Sequence, residues 1–489
     1  MARSFRAVFL TLLQQYRSLQ LLLVLSWLAF GLAGVLVSAF CVRLIFFVDA
    51  PQQTQSFPVG LLQFVMLLAA LRLLSLALAG LHERLGLYWR QRNPLRAESH
   101  FQWALRMTPG NPALYCEWGA MLREQRQYAR ARYLFEQALA LGLDLDQPRV
   151  ELAHLALQQG QWEQALHDFD RAYRIRRGVA WNDLPEHIPE EDPLPPQIRS
   201  LETSLTKLRH DAAQLTFLLQ GNYLSARFEP LLAAYQALLA DVPAGADKIQ
   251  LSKAQHQRIH LLHGRNFYIA PVPAFPRKVL NPALDWARIQ QDYLSAEPGL
   301  VVIDDLLQPD ATEALLHFCQ KSAIWHDDAR PGAYLGAYMD DGFNCGLLYQ
   351  VAEAVQQALP EVIQGAPLKH MWAYKYDSEA QQGIQVHADG ARINLNFWVT
   401  PDSANRNPET GGLLVYHAKA PADWDFEDYN HDTDRTEAFL AAQQAGVTRV
   451  PYRQNRAVLF DSRLFHATDS FDFAPEYLNW RINITLLYG

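Results

Sequence analysis

The sequence predicts a multidomain protein of three parts: a transmembrane helical hairpin, an all-helical region of repeats, and a C-terminal β jelly roll with flanking helices. Three observations predict this order. They are two long apolar runs near the N-terminus, an alignment of the chain with itself at a shift of 34 residues, and closely spaced strand patterns after residue 299. A chain of 489 residues is long enough for about three or four domains.

The charge of the chain is divided unevenly. The net charge is −8, yet residues 1–96 contain nine Arg, no Lys and two acidic residues, which gives +7 and leaves −15 for the remainder. A basic, apolar start followed by an acidic body favours membrane attachment and argues against nucleic-acid binding. The hydrophobic content of 50% excludes a disordered or collagen-like chain.

The cysteines are few and far apart. They are Cys41, Cys116, Cys319 and Cys345, and they form no CxxC pair. This spacing is typical neither of a disulfide framework nor of a zinc site. It favours a reducing compartment.

Two apolar runs predict membrane helices. Leu21–Val42 has no charged residue in 22 positions, enough to cross a hydrocarbon core of about 30 Å. It is too long for a signal peptide and no clear cleavage site follows it. Phe57–Leu81 has 25 residues but contains Arg72, which costs about 2.5–3.5 kcal/mol at the centre of a membrane helix. The alternative for this second run is a helix in the interface or packed against protein.

The basic residues predict the orientation of the hairpin. Arg residues precede the first run and follow the second, whereas the loop 49–56 has none. Because positively charged flanks stay in the cytoplasm, both ends are expected there. Residues 1–83 are therefore predicted to anchor the protein in a membrane, such as the bacterial inner membrane, with the soluble domains facing the cytoplasm and the lipid bilayer as a partner.

Residues 84–178 contain the internal repeat. At the 34-residue shift three columns align, namely Ala97, Ala131 and Ala165, then Phe101, Phe135 and Phe169, then Ala104, Ala138 and Ala172. Small residues let paired helices approach, and the aromatic residue fills the gap to the next pair. The pattern resembles the tetratricopeptide repeat. This resemblance implies a concave face for a peptide or protein partner, although the array could equally be a spacer.

Residues 179–298 are predicted to be a linker and a helical region. Trp181–Ser200 contains five Pro and several acidic residues, which is typical of a linker. Apolar residues then recur at helical spacing from Ile198 to Leu208 and again over Phe228–Val242. We assign no chemistry to this region.

After Gly299 the pattern changes to strands. Leu300–Ile303 is a short apolar run, and Pro309 opens a helix after it. Closely spaced strands joined by Gly, Pro and Asn indicate a jelly roll or a related barrel. The further predicted strands are Met371–Tyr376, Ala391–Thr400, Gly412–Tyr416, Ala457–Asp461 and Trp480–Tyr488.

The chemistry is expected at His387-Ala388-Asp389. On a predicted strand, residues two apart point the same way, so His387 and Asp389 can face one metal ion. The distant His466 would complete a set of two His and one carboxylate, which leaves coordination positions of Fe(II) open. Arg481, on the last strand, could bind one end of a dicarboxylate through two parallel hydrogen bonds.

The ordered set of H-x-D, distal His and Arg resembles the iron(II)/2-oxoglutarate-dependent dioxygenases over residues 299–489. The opening Val301 to Asp310 is similar to prolyl hydroxylases, and Asn396 to Pro401 followed by Gly411-Gly412-Leu413 is similar to phytanoyl-CoA dioxygenases. The resemblance implies a double-stranded β-helix with Fe(II), 2-oxoglutarate and O₂ as cofactors, and it allows for ascorbate. It makes His387, Asp389 and His466 the iron ligands, and it assigns 2-oxoglutarate to Arg481, Asn483, Tyr374, Tyr376 and Asn396.

Asn394 and Asn396 are polar positions on an otherwise apolar strand, so they could instead face solvent or bond across the sheet. We interpret His326-Asp327-Asp328 as a solvated loop, and His370, His417 and His431 as ordinary histidines. The polar insert 418–446 is either a substrate lid or a solvated loop.

The order of anchor, repeats and oxygenase also resembles aspartyl/asparaginyl β-hydroxylase. That family lacks the metal carboxylate that Asp389 supplies, so the likeness is one of architecture only. The predicted function is a membrane-anchored dioxygenase that hydroxylates a protein, a peptide or a membrane-associated substrate. The alternatives are a membrane-tethered scaffold whose jelly roll binds a ligand without turnover, and a metal-free sugar-binding jelly roll.

Overall fold

The computed structural model describes residues 56–142, 145–183, 201–242, 248–272, 275, 278–328, 334–377 and 383–489. Residue contacts divide the chain into two compact units, Met1–Asp144 and Leu145–Gly489. The predicted span Leu21–Val42 and most of the predicted linker lie outside the described residues. The predicted boundaries of the individual domains remain predictions.

The described part of the first unit is helical. Asn93 and Asn111 cap the second and third helices, and Pro follows each cap at the first helical position, which is how helices of this kind begin. The repeat residues Phe101 and Phe135 are fully buried. The four helices are α1 (Ser56–Trp89), α2 (Pro94–Met107), α3 (Pro112–Glu124) and α4 (Tyr128–Ala140).

Helix α1 contains the second apolar run, and its helical structure confirms that part of the prediction. Among the described residues, Phe64–Trp89 is the one helix long and apolar enough to cross a membrane. Its second half packs against α2: the Arg72 guanidinium donates to the Met107 carbonyl oxygen at 3.2 Å. A Cβ on Gly86 would lie 2.9 Å from the Phe101 ring, so only glycine allows this approach.

The second unit begins with a third helical pair and continues into the barrel. Ala165 and Phe169 of this pair belong to the same buried core as the barrel strands. All nine aligned repeat positions are buried, but the repeat family stays a prediction. The helices are α5 (Asp146–Gln158), α6 (Trp162–Arg177), α7 (Leu205–Gln220), α8 (Glu229–Asp241), α9 (Lys253–Ile259), α10 (Trp286–Ser295), α11 (Pro309–Lys321), α12 (Gly346–Ala358), α13 (Pro360–Ile363), α14 (Phe426–Asn430) and α15 (Thr433–Ala442).

The strands form a six-stranded and a three-stranded antiparallel sheet and one short hairpin. The orders are β3-β9-β6-β11-β5-β4 and β10-β7-β8, and β1 pairs with β2. This is consistent with the predicted jelly roll. The strands are β1 (Glu202–Ser204), β2 (Lys248–Gln250), β3 (Leu300–Ile303), β4 (Leu335–Tyr338), β5 (Leu368–Tyr376), β6 (Ile393–Trp398), β7 (Leu413–Lys419), β8 (Val447–Val450), β9 (Ala457–Asp461), β10 (Leu464–Thr468) and β11 (Arg481–Tyr488).

The large sheet is buried on both faces, and this positions the site. On one face Ile482 and Ile484 belong to the core that contains helices α11 and α12. On the other face Trp398 and Phe460 pack with Val415 of the small sheet. Since side chains alternate along a strand, the polar residues of β6 and β11 point into this second, inner face.

The predicted strands are confirmed, with ends shifted by up to three residues, and β1, β2, β4, β8 and β10 were not predicted. Three details of the prediction are wrong. The stretch Ile198–Leu208 was predicted to be helical, but Glu202–Ser204 is extended because it pairs with β2. His387 and Asp389 lie in an extended segment that forms a single bridge to His466, not in a regular strand. Trp181 is not in a linker, because its ring stacks on Phe228 with the centroids 4.6 Å apart.

Candidate metal centre

The three predicted metal ligands meet at one point. One donor atom from each of His387, Asp389 and His466 lies within 4.8 Å of the other two. The backbones of His387 and His466 exchange two hydrogen bonds, of 3.0 and 2.8 Å, and this pairing brings the imidazole centroids to 4.3 Å. Asp389 Oδ2 lies 3.4 Å from His466 Nε2, and Oδ1 lies 3.8 Å from His387 Nε2.

Backbone carbonyl groups orient both imidazoles. His387 Nδ1 lies 2.8 Å from the Gln385 carbonyl oxygen, and His466 Nδ1 lies 3.0 Å from the Leu464 carbonyl oxygen. A carbonyl can only accept, so each Nδ1 carries the proton and each Nε2 keeps its lone pair. This is the tautomer that a metal-binding histidine needs, and it is set by the neighbouring backbone.

The carboxylate of Asp389 is held in its ionised form. Its burial opposes ionisation, but the adjacent His466 and His387 rings and the amide of Asn394 together hold the pKa of Asp389 below its ordinary value. Asn394 Nδ2 donates to Asp389 Oδ2 at 2.9 Å. The centre therefore offers two neutral nitrogens and one anionic oxygen, which is a donor set that suits Fe(II).

A cavity of about 500 Å³ borders the donor set. His387 and Asp389 line it, so that a metal ion held here would face open space on one side. Aromatic side chains make up much of the wall, and residues of α14 and the start of α15 line another part of it. The full lining is Tyr334, Tyr338, Trp372, Tyr374, Gly383, Ile384, Gln385, Val386, His387, Asp389, Phe426, Asn430, His431 and Thr433.

Arg481 is a buried cation on the inner face of the barrel. It is 1% exposed, and its guanidinium donates to the carbonyl oxygens of Gly411 and Gly412 and to Asn483 Oδ1 at 2.6, 3.1 and 3.3 Å. In the described part of the chain no carboxylate forms a salt bridge with it, although burial lowers its pKa. Its hydrogen-bond acceptors are neutral, and the charge of Asp469 acts on it only from beyond salt-bridge distance, so its charge is incompletely compensated, which favours an anionic guest.

A second donor lies beside Arg481. Trp398 Nε1 is buried and has no hydrogen-bond partner among the described residues, and the guanidinium lies 5.9 Å from the Trp398 ring centroid. Tyr376 is the cross-strand neighbour of Arg481, and its hydroxyl group pairs with Thr468 at 3.1 Å. An unsatisfied buried donor next to a buried cation without a salt bridge is the arrangement expected for a carboxylate-binding site.

The structure places the residues predicted to bind the cosubstrate at two different locations. Tyr374 lines the cavity, whereas Arg481, Asn483, Tyr376 and Asn396 do not line it and are buried deeper in the barrel. The outward-facing alternative for the asparagines is wrong: Asn394 bonds to Asp389, and Asn396 donates to Thr485 Oγ1 at 3.0 Å. Asn394 is the functional neighbour that sequence reasoning left undecided.

Two further predictions need correction. His326-Asp327-Asp328 is not a solvated loop: His326 Nε2 lies 2.9 Å from the Tyr173 hydroxyl group, and Asp327 Oδ2 accepts from Tyr338 at 2.9 Å. His431 is exposed, as expected, but it also lines the cavity. The lid alternative for the insert 418–446 gains support, because Phe426 and Asn430 reach the cavity as well.

No protein-family model matches the chain, and no curated protein matches it. Solved structures match part of it. SnoN, an alpha-ketoglutarate-dependent epimerase from nogalamycin biosynthesis, is 14% identical; the match covers 42% of this chain and 84% of SnoN, with a TM-score of 0.31. A Pseudomonas putida prolyl-4-hydroxylase is 16% identical over 44% of this chain and 96% of its own, with a TM-score of 0.26. HygX from Streptomyces hygroscopicus, crystallised with nickel and 2-oxoglutarate, is 11% identical over 41% and 86%, with a TM-score of 0.29.

Proposed function

We propose that the protein is a membrane-anchored Fe(II)- and 2-oxoglutarate-dependent dioxygenase that hydroxylates a protein, a peptide or a membrane-associated substrate. The observation that carries this proposal is the cluster of His387, Asp389 and His466 at the wall of a cavity of about 500 Å³. Two imidazoles and one carboxylate suit Fe(II) and leave positions free for a cosubstrate and O₂. The buried Arg481, which forms no salt bridge with a described residue, supports 2-oxoglutarate as that cosubstrate.

Each part of the site has a task in this proposal. Bound Fe(II) would supply the redox chemistry, in which 2-oxoglutarate and O₂ are consumed and succinate and CO₂ are released as a substrate C–H bond is hydroxylated. His387 and His466 present lone pairs at Nε2, and Asn394 fixes Asp389 as the third ligand. Arg481 and Trp398 would bind the distal carboxylate of 2-oxoglutarate, and the aromatic wall excludes water from the reacting group.

Membrane anchoring is the second part of the proposal. It is supported by the apolar run in α1 and by the charge division of the sequence. The basic flanks favour a cytoplasmic position for the soluble units, where free Fe(II) and reduced cysteines persist. The described cysteines Cys116, Cys319 and Cys345 are buried and form no disulfide with one another, in keeping with that compartment.

The test measures metal binding and cosubstrate turnover separately. Purified full-length protein in detergent is expected to bind Co(II), followed by its absorption spectrum, and to form succinate from 2-oxoglutarate only with Fe(II). His387→Ala should lower both by at least about 100-fold, because one of three ligands is lost. His417→Ala is the matched control, since His417 is exposed and bonds to Thr448 away from the centre.

The scaffold alternative predicts a different result. A jelly roll that binds a ligand without turnover would form no succinate, and a metal-free lectin would bind no Co(II). Equal succinate formation by the wild type and by His387→Ala would likewise contradict a dioxygenase centred on His387.

A further inference from the structure

We propose that the substrate is a cation, and that its alkylammonium group binds against the aromatic wall of the cavity beside the metal centre. Because this cavity is the one that borders His387 and Asp389, the assignment rests on the proposed function. It adds the charge of the substrate, which the metal ligands do not specify.

Four aromatic rings form the wall. Tyr374 is in the middle: its ring centroid lies 4.5 Å from that of Tyr334, 6.2 Å from that of Tyr338 and 6.3 Å from that of Trp372. The angles between these ring planes are 60°, 85° and 48°, so the rings surround space from several directions and do not form one flat stack. Aromatic faces carry negative potential, and rings arranged in this way bind ammonium groups.

The described lining of the cavity has little positive charge of its own. None of its described lining residues is Lys or Arg, and its formally charged side chain is Asp389. Lys369 approaches the segment, but its ammonium donates to the Gly390 carbonyl oxygen and it is not part of the lining. On the far side of the wall, Asp327 accepts the Tyr338 hydroxyl proton, which increases the electron density of that ring.

The segment around α14, which contributes Phe426 and Asn430 to the lining of the cavity, is acidic. Residues 423–437 contain seven Asp or Glu and one Arg, and Arg435 is already paired with Asp428. Asp425 and Asp432 cap helices and so have a structural role. Glu427, Asp434 and Glu437 are exposed and cap nothing. A field of this sign from a segment that lines the cavity attracts cations and repels anions.

Other ligand classes fit less well. A sugar or an uncharged aryl group could stack on the same rings, but neither would gain from the negative charge of the acidic segment 423–437. An anion would be repelled both by that segment and by the faces of the rings. An alkylammonium group is favoured by both features at once.

The reaction that follows is a hydroxylation next to a fixed charge. One oxygen atom of O₂ enters a C–H bond of the substrate and the other enters succinate, while 2-oxoglutarate is oxidised and loses its carboxyl carbon as CO₂. The aromatic wall holds the ammonium group, and a C–H bond of the substrate a few atoms away from that group lies next to the metal centre.

The experiment compares ligands of one shape and different charge. Full-length protein in a non-ionic detergent is loaded with Ni(II) and 2-oxoglutarate at pH 8. Choline and its uncharged isostere 3,3-dimethylbutan-1-ol are titrated by ligand-observed NMR. Nα-acetyl-lysine methylamide is titrated in parallel as a ligand with a primary ammonium group. An ammonium ligand is expected to bind at least about fivefold more tightly than the alcohol.

Variants test which residues cause the preference for an ammonium ligand over the alcohol. Trp372→Leu should remove this preference, whereas Trp372→Phe, which keeps a ring, should retain most of it. Trp103→Leu is the control, since Trp103 lies on α2 outside the lining and is 46% exposed. Glu427→Gln with Asp434→Asn should weaken ammonium binding at low salt and leave the alcohol unchanged.

Equal affinities for choline and the alcohol, or no binding of any ammonium ligand to the Ni(II)-loaded protein, would overturn the assignment of a cationic substrate. Failure to bind Ni(II) at all would instead count against the proposed function.

Discussion

Asn394 is the polar residue on which the position of the metal carboxylate depends. It is fully buried on β6, and its amide donates to Asp389 Oδ2. Its own Oδ1 has no partner among the described residues. A buried amide with one unsatisfied atom lowers the stability of the fold. We therefore explain the asparagine at this position by its contact with Asp389.

The first prediction concerns metal affinity. Asn394→Leu should weaken Co(II) binding about 10-fold or more, because partners that orient a metal ligand are typically worth 10- to 100-fold in affinity. Asn396→Leu is the matched control: Asn396 lies on the same strand face but bonds to Thr485. Titration followed by Co(II) absorption measures both, and equal affinities for the two variants would contradict the assigned role of Asn394.

The ligands could be predicted from the sequence, but their partners could not. His387, Asp389 and His466 occur in an order that is specific enough to recognise. Asn394 was undecided because the large sheet is buried on both faces, so an alternating pattern does not say which face is inner. His326 was interpreted wrongly because its partner, Tyr173, lies 153 positions away, beyond any local pattern.

At the scale of elements, helix α7 carries a buried polar network. His210 and Asp211 are adjacent and each is 1% exposed. Lys207 and Tyr235 both donate to Asp211, while Lys375 of β5 lies 3.3 Å from His210 Nε2. This network joins α7 to the outer face of the large sheet, where sequence analysis assigned no chemistry.

The second prediction is a loss of stability in mild acid. Burial, with Lys375 nearby, lowers the pKa of His210 to about 3, and burial lowers that of His263 to about 4. An unfolded histidine has a pKa of about 6.5, so the unfolded chain takes up these protons first as the pH falls. The stabilisation is complete above pH 6.5 and is lost progressively below it, by about 2 kcal/mol for each residue at pH 5.

Urea unfolding at pH 7.5 and pH 5 measures this loss. His210→Gln should reduce the difference between the two pH values by about 2 kcal/mol, whereas His260→Gln, on an exposed turn, should leave it unchanged. A wild-type stability that is equal at both pH values would refute the prediction.

The third prediction concerns the junction between α6 and the turn after β4. Arg177 forms a bidentate pair with Asp341, with Nε–Oδ1 and NH2–Oδ2 distances of 2.9 and 2.5 Å, and the two side chains are 17% and 16% exposed. Arg177→Met should lower the free energy of unfolding by about 2–3 kcal/mol, because it leaves a largely buried carboxylate with weaker compensation. Chemical denaturation measures the change.

A matched ion pair on the same helix provides the control. Arg174 and Asp170 are 2.7 Å apart but more exposed, at 35% and 49%. Arg174→Met should therefore cost less than about 0.5 kcal/mol. Similar losses in the Arg174 and Arg177 variants would show that burial of the Arg177 pair contributes nothing.

The predicted elements are those with a strong local pattern. β3 and β9 are short apolar runs, and their predicted limits match the structure. β4 and β8 have four residues each, and the sequence Leu335-Gly336-Ala337-Tyr338 has neither clear alternation nor a β-branched residue. Such strands form because a neighbouring strand offers hydrogen bonds, and this tertiary effect is not visible in a local window.

At the scale of the whole molecule, the uneven distribution of charge along the sequence and the contacts of helix α1 indicate where along α1 the bilayer boundary is expected. The apolar run continues to Leu81, but α2 packs beside the second half of α1 and carries the exposed Arg106 near its end. A helix with an exposed Arg cannot lie in the hydrocarbon core at low cost. Arg72 meets the end of α2, so we expect both Arg residues to lie at the membrane surface, where a long basic side chain reaches the headgroups.

The fourth prediction follows from this placement and uses two matched positions of α1. In a Cys41→Ser background, Leu68→Cys and Leu76→Cys are introduced separately; the two leucines are 50% and 43% exposed in the folded chain, so the bilayer is the main difference between them. A membrane-impermeant maleimide added to inverted vesicles should label Leu76→Cys and not Leu68→Cys, because the bilayer boundary lies near Arg72. Protection of both would extend the span to Leu81, as the apolar run alone predicts. Labelling of both would show that α1 does not span the bilayer and would favour the helix packed against protein or lying in the interface.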